Sequence, residues 1–230
     1  MARVPLEGNW LALGGAILYF LEWVAIIGAS PPGPFGSGTA SSEVMRSYAT
    51  HAGGAAIAEA WFAIVLIGRV LFIIGVRASV PRSRRTSPWF DLAVAAMAVS
   101  VALEVASYGV VAGTARMAAN GAAQTTVMTL DNVAFWIDLV IFAPAGVSMV
   151  ACSLAMRASR AYAAWTWWLG LVAGVAAMLA VLASATGDAP PTGLGSGLES
   201  VGALGMWVFM LVVGIKVLRA PAPAHESVIS

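Results

Sequence analysis

Apolar runs of about 20 residues alternate with short polar segments along this chain, at roughly 9–28, 54–76, 89–112, 132–156, 165–186 and 202–219. Each run is long enough to cross a bilayer as a helix. The pattern predicts an all-α polytopic membrane bundle of six transmembrane helices, a single domain over residues 1–230 with both termini cytoplasmic. The segments 30–39 and 188–197 carry Pro31-Pro32-Gly33-Pro34 and Pro190-Pro191, which punctuate helices and make turns. The first opens a stretch that also holds Tyr48 and His51 and reads as a mobile lid or a plain surface loop. Gly109-x-x-x-Gly113 and Gly170-x-x-x-Gly174 are expected to let helix backbones approach closely. Pro144 removes an amide donor inside the fourth span and predicts a kink there. No internal repeat and no broken span is visible, which counts against alternating access in a monomer.

Composition agrees with the pattern. Sixty per cent of the residues are apolar and 10% charged, against roughly a quarter charged in soluble domains, and mean hydropathy is +0.87. Arg3, Arg77, Arg82, Arg84, Arg85, Arg157, Arg160, Lys216 and Arg219 fall on one side of the predicted bundle, and only Arg46 and Arg116 on the other. That asymmetry places the first side in the cytoplasm and the protein in the inner membrane of a bacterium. Trp165, Trp167 and Trp168 read as interfacial anchors on the same side. The net charge of +1 gives no basic face for nucleic acid. The N-terminal apolar run is too long for a signal-peptide core and is interrupted by Glu22 and Trp23, so it reads as a retained helix. With Cys152 as the only cysteine and only His51 and His225, neither a disulfide, a thiolate metal site nor a His-rich centre is expected, and no cofactor is called for.

Four carboxylates interrupt the apolar runs: Glu22, Glu59, Glu104 and Asp138, on four different helices. A rise of about 1.5 Å per residue puts them about 7–12 Å inside the outer boundary of their spans, at a common depth. Intramembrane acids are costly and face a protein interior or a water-filled cavity, marking function. Each has aromatic company three or four residues away on its own helix: Tyr19 with Glu22, Phe62 with Glu59, Tyr108 with Glu104, Phe135 and Phe142 with Asp138. Trp23 and Trp136 adjoin these groups. Asp131 lies on the Asp138 stripe nearer the outer mouth and reads as a proton source, and Asn132 adds a polar tip. Arg69 shares a stripe with Glu59 and Phe62 near mid-membrane, available to a ligand anion or to an interhelical ion pair.

Burial disfavours the charged form of a carboxyl group, and neighbouring acids disfavour joint ionisation, so one member of such a group stays protonated and can act as a general acid. Aromatic faces stabilise cations. An acid to generate a carbocation and rings to guide it are the requirements of a protonation-initiated terpene cyclase, an intramolecular isomerase or lyase acting on a linear prenyl or meroterpenoid-like substrate that enters from lipid. In that reading Asp138 is the proton donor, Glu59, Glu104, Glu22 and Asp131 support it, and Tyr19, Trp23, Phe62, Arg69, Tyr108, Phe135, Trp136 and Phe142 contact substrate.

The chain resembles the small six-helix integral membrane proteins of actinobacteria through Leu130-Asp131-Asn132-Val133-Ala134-Phe135-Trp136, an Arg-containing inner turn and a Trp-rich start to the fifth helix. It also resembles, through its intramembrane acids, the bacterial membrane-bound terpene cyclases of the drimentine type. The second resemblance implies a helical membrane enzyme starting catalysis with an intramembrane acid; no motif matches residue by residue, so no catalytic role is carried over. Beside the cyclase stand two other functions: a small proton-coupled transporter or channel in which the same acids relay protons, and a non-catalytic membrane partner in which they are structural.

Overall fold

A computed structural model describes residue 6 and residues 8–81, 83–185 and 194–221. Arg3, Arg82, Pro190-Pro191 and His225, used above for topology, turns and metal chemistry, lie outside the described residues. All regular structure among those described is helical: α1 Leu11–Phe20, α2 Glu22–Ala29, α3 Ser41–Thr50, α4 Ala52–Val65, α5 Ile67–Ala78, α6 Ser87–Ala119, α7 Gln124–Ser159, α8 Ala164–Ala185 and α9 Leu194–Leu218, with a short 3₁₀ turn at Gly36–Gly38. They make six helices long and apolar enough to cross a membrane, α1 with α2 forming the first and α4 with α5 the second. The flanks of the bundle carry exposed Ile17, Ile27, Ile57, Leu182 and Leu204. Such a surface is the reverse of a soluble fold and fits contact with lipid.

The first two spans run on as single helices but tighten locally at Leu21 (φ −67°, ψ −7°) and Leu66 (φ −64°, ψ −23°), both in the right-handed helical region. At each point the helical ladder tightens, with the Val24 amide donating to the Leu21 carbonyl (3.1 Å) and the Arg69 amide to the Leu66 carbonyl (3.1 Å). The Leu21 carbonyl receives a second donor from another helix, Nε1 of Trp61 at 2.7 Å. Because α1 packs on α5 and α2 on α4, the two tightened turns lie level with one another. The third and fourth spans are also longer than the apolar runs. At 33 and 36 residues, α6 and α7 outreach the roughly 30 Å hydrocarbon thickness and project together past the loop end of the bundle, turning at Gly121 in a left-handed conformation (φ 80°).

That projection carries a small second core. Val44 and Tyr48 of α3 pack against Val111, Ala115 and Val127 near the α6–α7 tip. The Pro/Gly-rich segment read as a mobile lid is therefore an anchored cover with a helix of its own.

Close packing elsewhere rests on residues without side chains. A Cβ on Gly15 would lie 2.5 Å from the Gly68 carbonyl oxygen, so α1 and α5 cross backbone to backbone. The Gly170/Gly174 pair works as expected, with a Cβ on Gly174 only 2.7 Å from the Gly146 carbonyl oxygen across the α7–α8 crossing. Gly113 does not, because its surroundings are open. The seam between α6 and α7 is held by buried hydroxyls: Ser107 donates to the Ala134 carbonyl (3.0 Å), Ser100 to Ile141 (3.2 Å) and Ser148 to Ala93 (2.7 Å). α7 continues helical through Pro144.

Candidate functional site

A charged residue follows each of the tightened turns at Leu21 and Leu66. Glu22 is the first residue of α2, and Arg69 lies in the first turn of α5. Both line a cavity of about 190 Å³ inside the bundle, together with Glu104 and Tyr108 of α6, Asp138 and Phe142 of α7, and Tyr19 of α1. α9 closes the other side with Trp207 and Met206, and α8 reaches it through Ala177. Three of the four carboxylates singled out within the apolar runs thus share one void, and Arg69 joins them.

Arg69 and Glu104 form a buried ion pair. The Arg69 guanidinium also sits 5.1 Å from the centroid of the Tyr19 ring, in cation–π range. Its Nε has no hydrogen-bond partner. The Tyr19 hydroxyl accepts a hydrogen bond from Nε1 of Trp207 (2.9 Å), tying α1 to α9. Glu22 is buried and receives a long hydrogen bond from the Tyr108 hydroxyl (3.5 Å). Asp138 is half-buried and makes no hydrogen bond among the described residues. Its charge interacts with those of Arg69 and of Glu199, an acid near the start of α9. Three carboxylates face one guanidinium, a formal excess of two negative charges when all are ionised. The acids of the described residues do not group into a metal-holding cluster.

The remaining sequence-selected residues fall elsewhere. Glu59 is half-buried on α4, its carboxylate beside Gly109, where an added Cβ would lie 3.1 Å from Oε1; it does not line the cavity. It meets α6 at Gly109, five residues or about 7.5 Å along the helix from Glu104. Phe62 stands behind the wall, its ring 4.2 Å from that of Tyr108 between centroids. Trp23 lies at the rim, edge-on to Trp207 at 5.0 Å. Trp136 is 48% exposed and points out of the bundle. Phe135 packs over Gly36, where it touches the cover rather than the cavity.

Asp131 sits apart from this cavity. It is fully buried, and its oxygens accept from the amides of Phe35 (2.8 Å) and Gly36 (3.0 Å) and from the hydroxyl of Tyr48 (2.7 Å). These hydrogen bonds pin the cover to α7. Burial, then the hydrogen bond and charge of Asp131, push the Tyr48 phenol well above its ordinary range.

Sequence reasoning missed the α9 wall. Trp207 sits in the middle of its span, away from the interfacial level where membrane tryptophans collect, and that position was the available signal. No protein-family model matches the chain, and no curated protein or solved structure does.

Proposed function

We propose that this is an integral protein of a cytoplasmic membrane that moves a small solute in exchange with, or together with, protons, and that the cavity around Glu22, Glu104, Arg69 and Asp138 is its solute site. The observation that carries this reading is the convergence of Glu22, Glu104, Asp138 and Arg69 on that one cavity. Ionisable groups inside a helical membrane bundle mark ion and substrate paths, and here three acids and a guanidinium from four helices line one void. The excess of carboxylates supports proton coupling, since acids in an apolar wall are neutral only when protonated or matched by a cation. The basic end, with Arg77, Arg84, Arg85, Arg157 and Arg160, faces the cytoplasm in this reading. Reporter fusions after Arg85 and Arg160 should read cytoplasmic and one after Gly36 external; the reverse would invert the scheme.

The direct test uses proteoliposomes that enclose a pH-sensitive dye and are challenged with a panel of small charged and neutral solutes. A solute-dependent change of internal pH is expected, and Asp138→Asn and Glu22→Gln should abolish it. A folded wild-type protein that moves no protons with any solute would remove the carrier reading.

The terpene cyclase reading stands second. It is favoured by Asp138, a carboxyl group with no hydrogen-bond partner among the described residues, in a wall shared with Phe142, Tyr108 and Trp207. Volume counts against it: about 190 Å³ is below the roughly 300–1,000 Å³ of sites for larger ligands, so a linear polyprenyl chain needs the bundle to open. Membranes holding the protein, incubated with linear prenylated precursors, would have to yield cyclised isomers of unchanged mass.

A further inference from the structure

We infer that the cavity takes a small organic monocation bearing a hydrogen-bond acceptor, its positive centre held by Glu22 and Asp138 and its acceptor by the Nε–H of Arg69. The inference rests on reading the cavity as a solute site and adds the chemical class of the solute.

Charge comes first. Glu104 is already matched by Arg69, which leaves Glu22 and Asp138 as the lining acids outside that ion pair. A single positive charge there, with one proton on the other acid, brings the four charged groups that line the cavity to neutrality. An anion would add to the excess, and a neutral solute would leave both acids to protons alone.

The rings point the same way. Tyr19 already accepts one cation, the Arg69 guanidinium, at 5.1 Å from its centroid. Tyr108 and Trp207 line the same void next to the acids, and Tyr108 donates to Glu22 rather than to a distant group. Aromatic faces beside carboxylates are the recognition elements for ammonium groups, quaternary ones included.

The third observation is independent of the acids. Arg69 has a side chain 3% exposed, it lines the cavity, and its Nε lacks a hydrogen-bond partner. Buried donors are almost always satisfied. A hydroxyl or carbonyl oxygen on the solute supplies the missing acceptor without displacing Glu104. Size sets the last bound, because about 190 Å³ is little more than the about 150 Å³ hole that holds a benzene ring. The solute is therefore a compact amino-alcohol or its quaternary counterpart, not a long-chain amine.

Choline is a suitable probe, with 3,3-dimethylbutan-1-ol as its uncharged isostere and tetramethylammonium as the cation without an oxygen. Calorimetric titration of the purified full-length protein in detergent should show choline bound and the neutral isostere bound at least about tenfold more weakly. Tetramethylammonium should fall between them. Asp138→Asn and Glu22→Gln should each weaken choline at least about tenfold, while Glu59→Gln, outside the cavity, leaves it unchanged. Choline failing to bind the wild type, or the neutral isostere binding equally well, overturns the inference without any variant having to fold. Choline binding that moves no protons in proteoliposomes keeps this inference and removes the carrier; solute-linked proton movement without choline binding does the opposite.

Discussion

Arg69 of α5 and Glu104 of α6 are joined as an ion pair inside the bundle, with side chains 3% and 10% exposed. Stranding one member of such a pair costs roughly 3–5 kcal/mol, whereas replacing both by apolar groups is often close to neutral. The site adds an asymmetry. Without Arg69, three carboxylates face one another; without Glu104, the guanidinium still has Glu22 and Asp138 in the same cavity. Arg69→Met is therefore expected to lose stability at the upper end of that range and Glu104→Leu clearly less. The double variant should recover only part of the loss, because Glu22 and Asp138 still lack the guanidinium. Thermal unfolding of the four proteins in one detergent measures the cycle, and equal losses for the two single variants would contradict a shared acid pool around Arg69.

The cover provides a test with a pH axis. Tyr48 donates to Asp131, and its phenol is pushed well above the usual value of about 10 by burial and by that carboxylate. A tyrosine whose pKa is raised on folding contributes stability that is complete below its unfolded pKa and is lost as pH climbs toward the folded value. The segment between α2 and α4 should resist an alkaline-tolerant protease at pH 8 and become cleavable above about pH 10. Tyr48→Phe cannot ionise, so its cleavage should lack that alkaline step. An identical step in the variant would assign it to some other group.

What could be read from the sequence tracks the physics that sets each feature. Span positions follow from bilayer thickness, a one-dimensional constraint, and the six apolar runs coincide with the six long helices. The tightened turns at Leu21 and Leu66 carry no proline, and the Leu21 carbonyl is also bonded by Trp61, which is 40 residues away. The cover was hidden for the same reason, since Asp131 bonds to amides 96 and 95 residues earlier. Among the acids, placement on the apolar helices was legible but which of them meet was not: Glu22, Glu104 and Asp138 share a cavity that Glu59 does not line. Trp207 escaped notice because its neighbours in the site come from other helices.

The two small-residue motifs separate packing from mere composition. Gly174 meets the Gly146 carbonyl oxygen at 2.7 Å from a built Cβ, while Gly113 meets nothing within 4 Å. Gly174→Ala forces α7 and α8 apart and should destabilise by about 1–3 kcal/mol, the usual cost of overpacking. Gly113→Ala should be neutral or stabilising by up to about 1 kcal/mol, from helix propensity alone. Unfolding midpoints of the two variants, measured side by side, decide it. A loss at Gly113 as large as that at Gly174 would mean that an unseen partner covers that face of α6.

The sharpest functional contrast lies between Asp138 and Glu59, two acids in different places. Asp138 opens onto the cavity with no hydrogen-bond partner among the described residues, beside Phe142 and within electrostatic reach of Arg69. Glu59 lies off the cavity, over Gly109. Asp138→Asn keeps the side chain's shape and removes its exchangeable proton. In a carrier it should eliminate solute-linked proton movement; in a cyclase it should cost about 10²–10⁴-fold in turnover, the usual contribution of a general acid. Glu59→Gln should reduce either activity by no more than about twofold, a difference of well under 1 kcal/mol. The assay is the proteoliposome pH signal or the cyclisation of prenylated precursors, whichever the wild type gives, with folding checked by gel filtration. If Glu59→Gln abolishes activity and Asp138→Asn does not, the working acid lies between α4 and α6, and the cavity lined by Asp138 is structural.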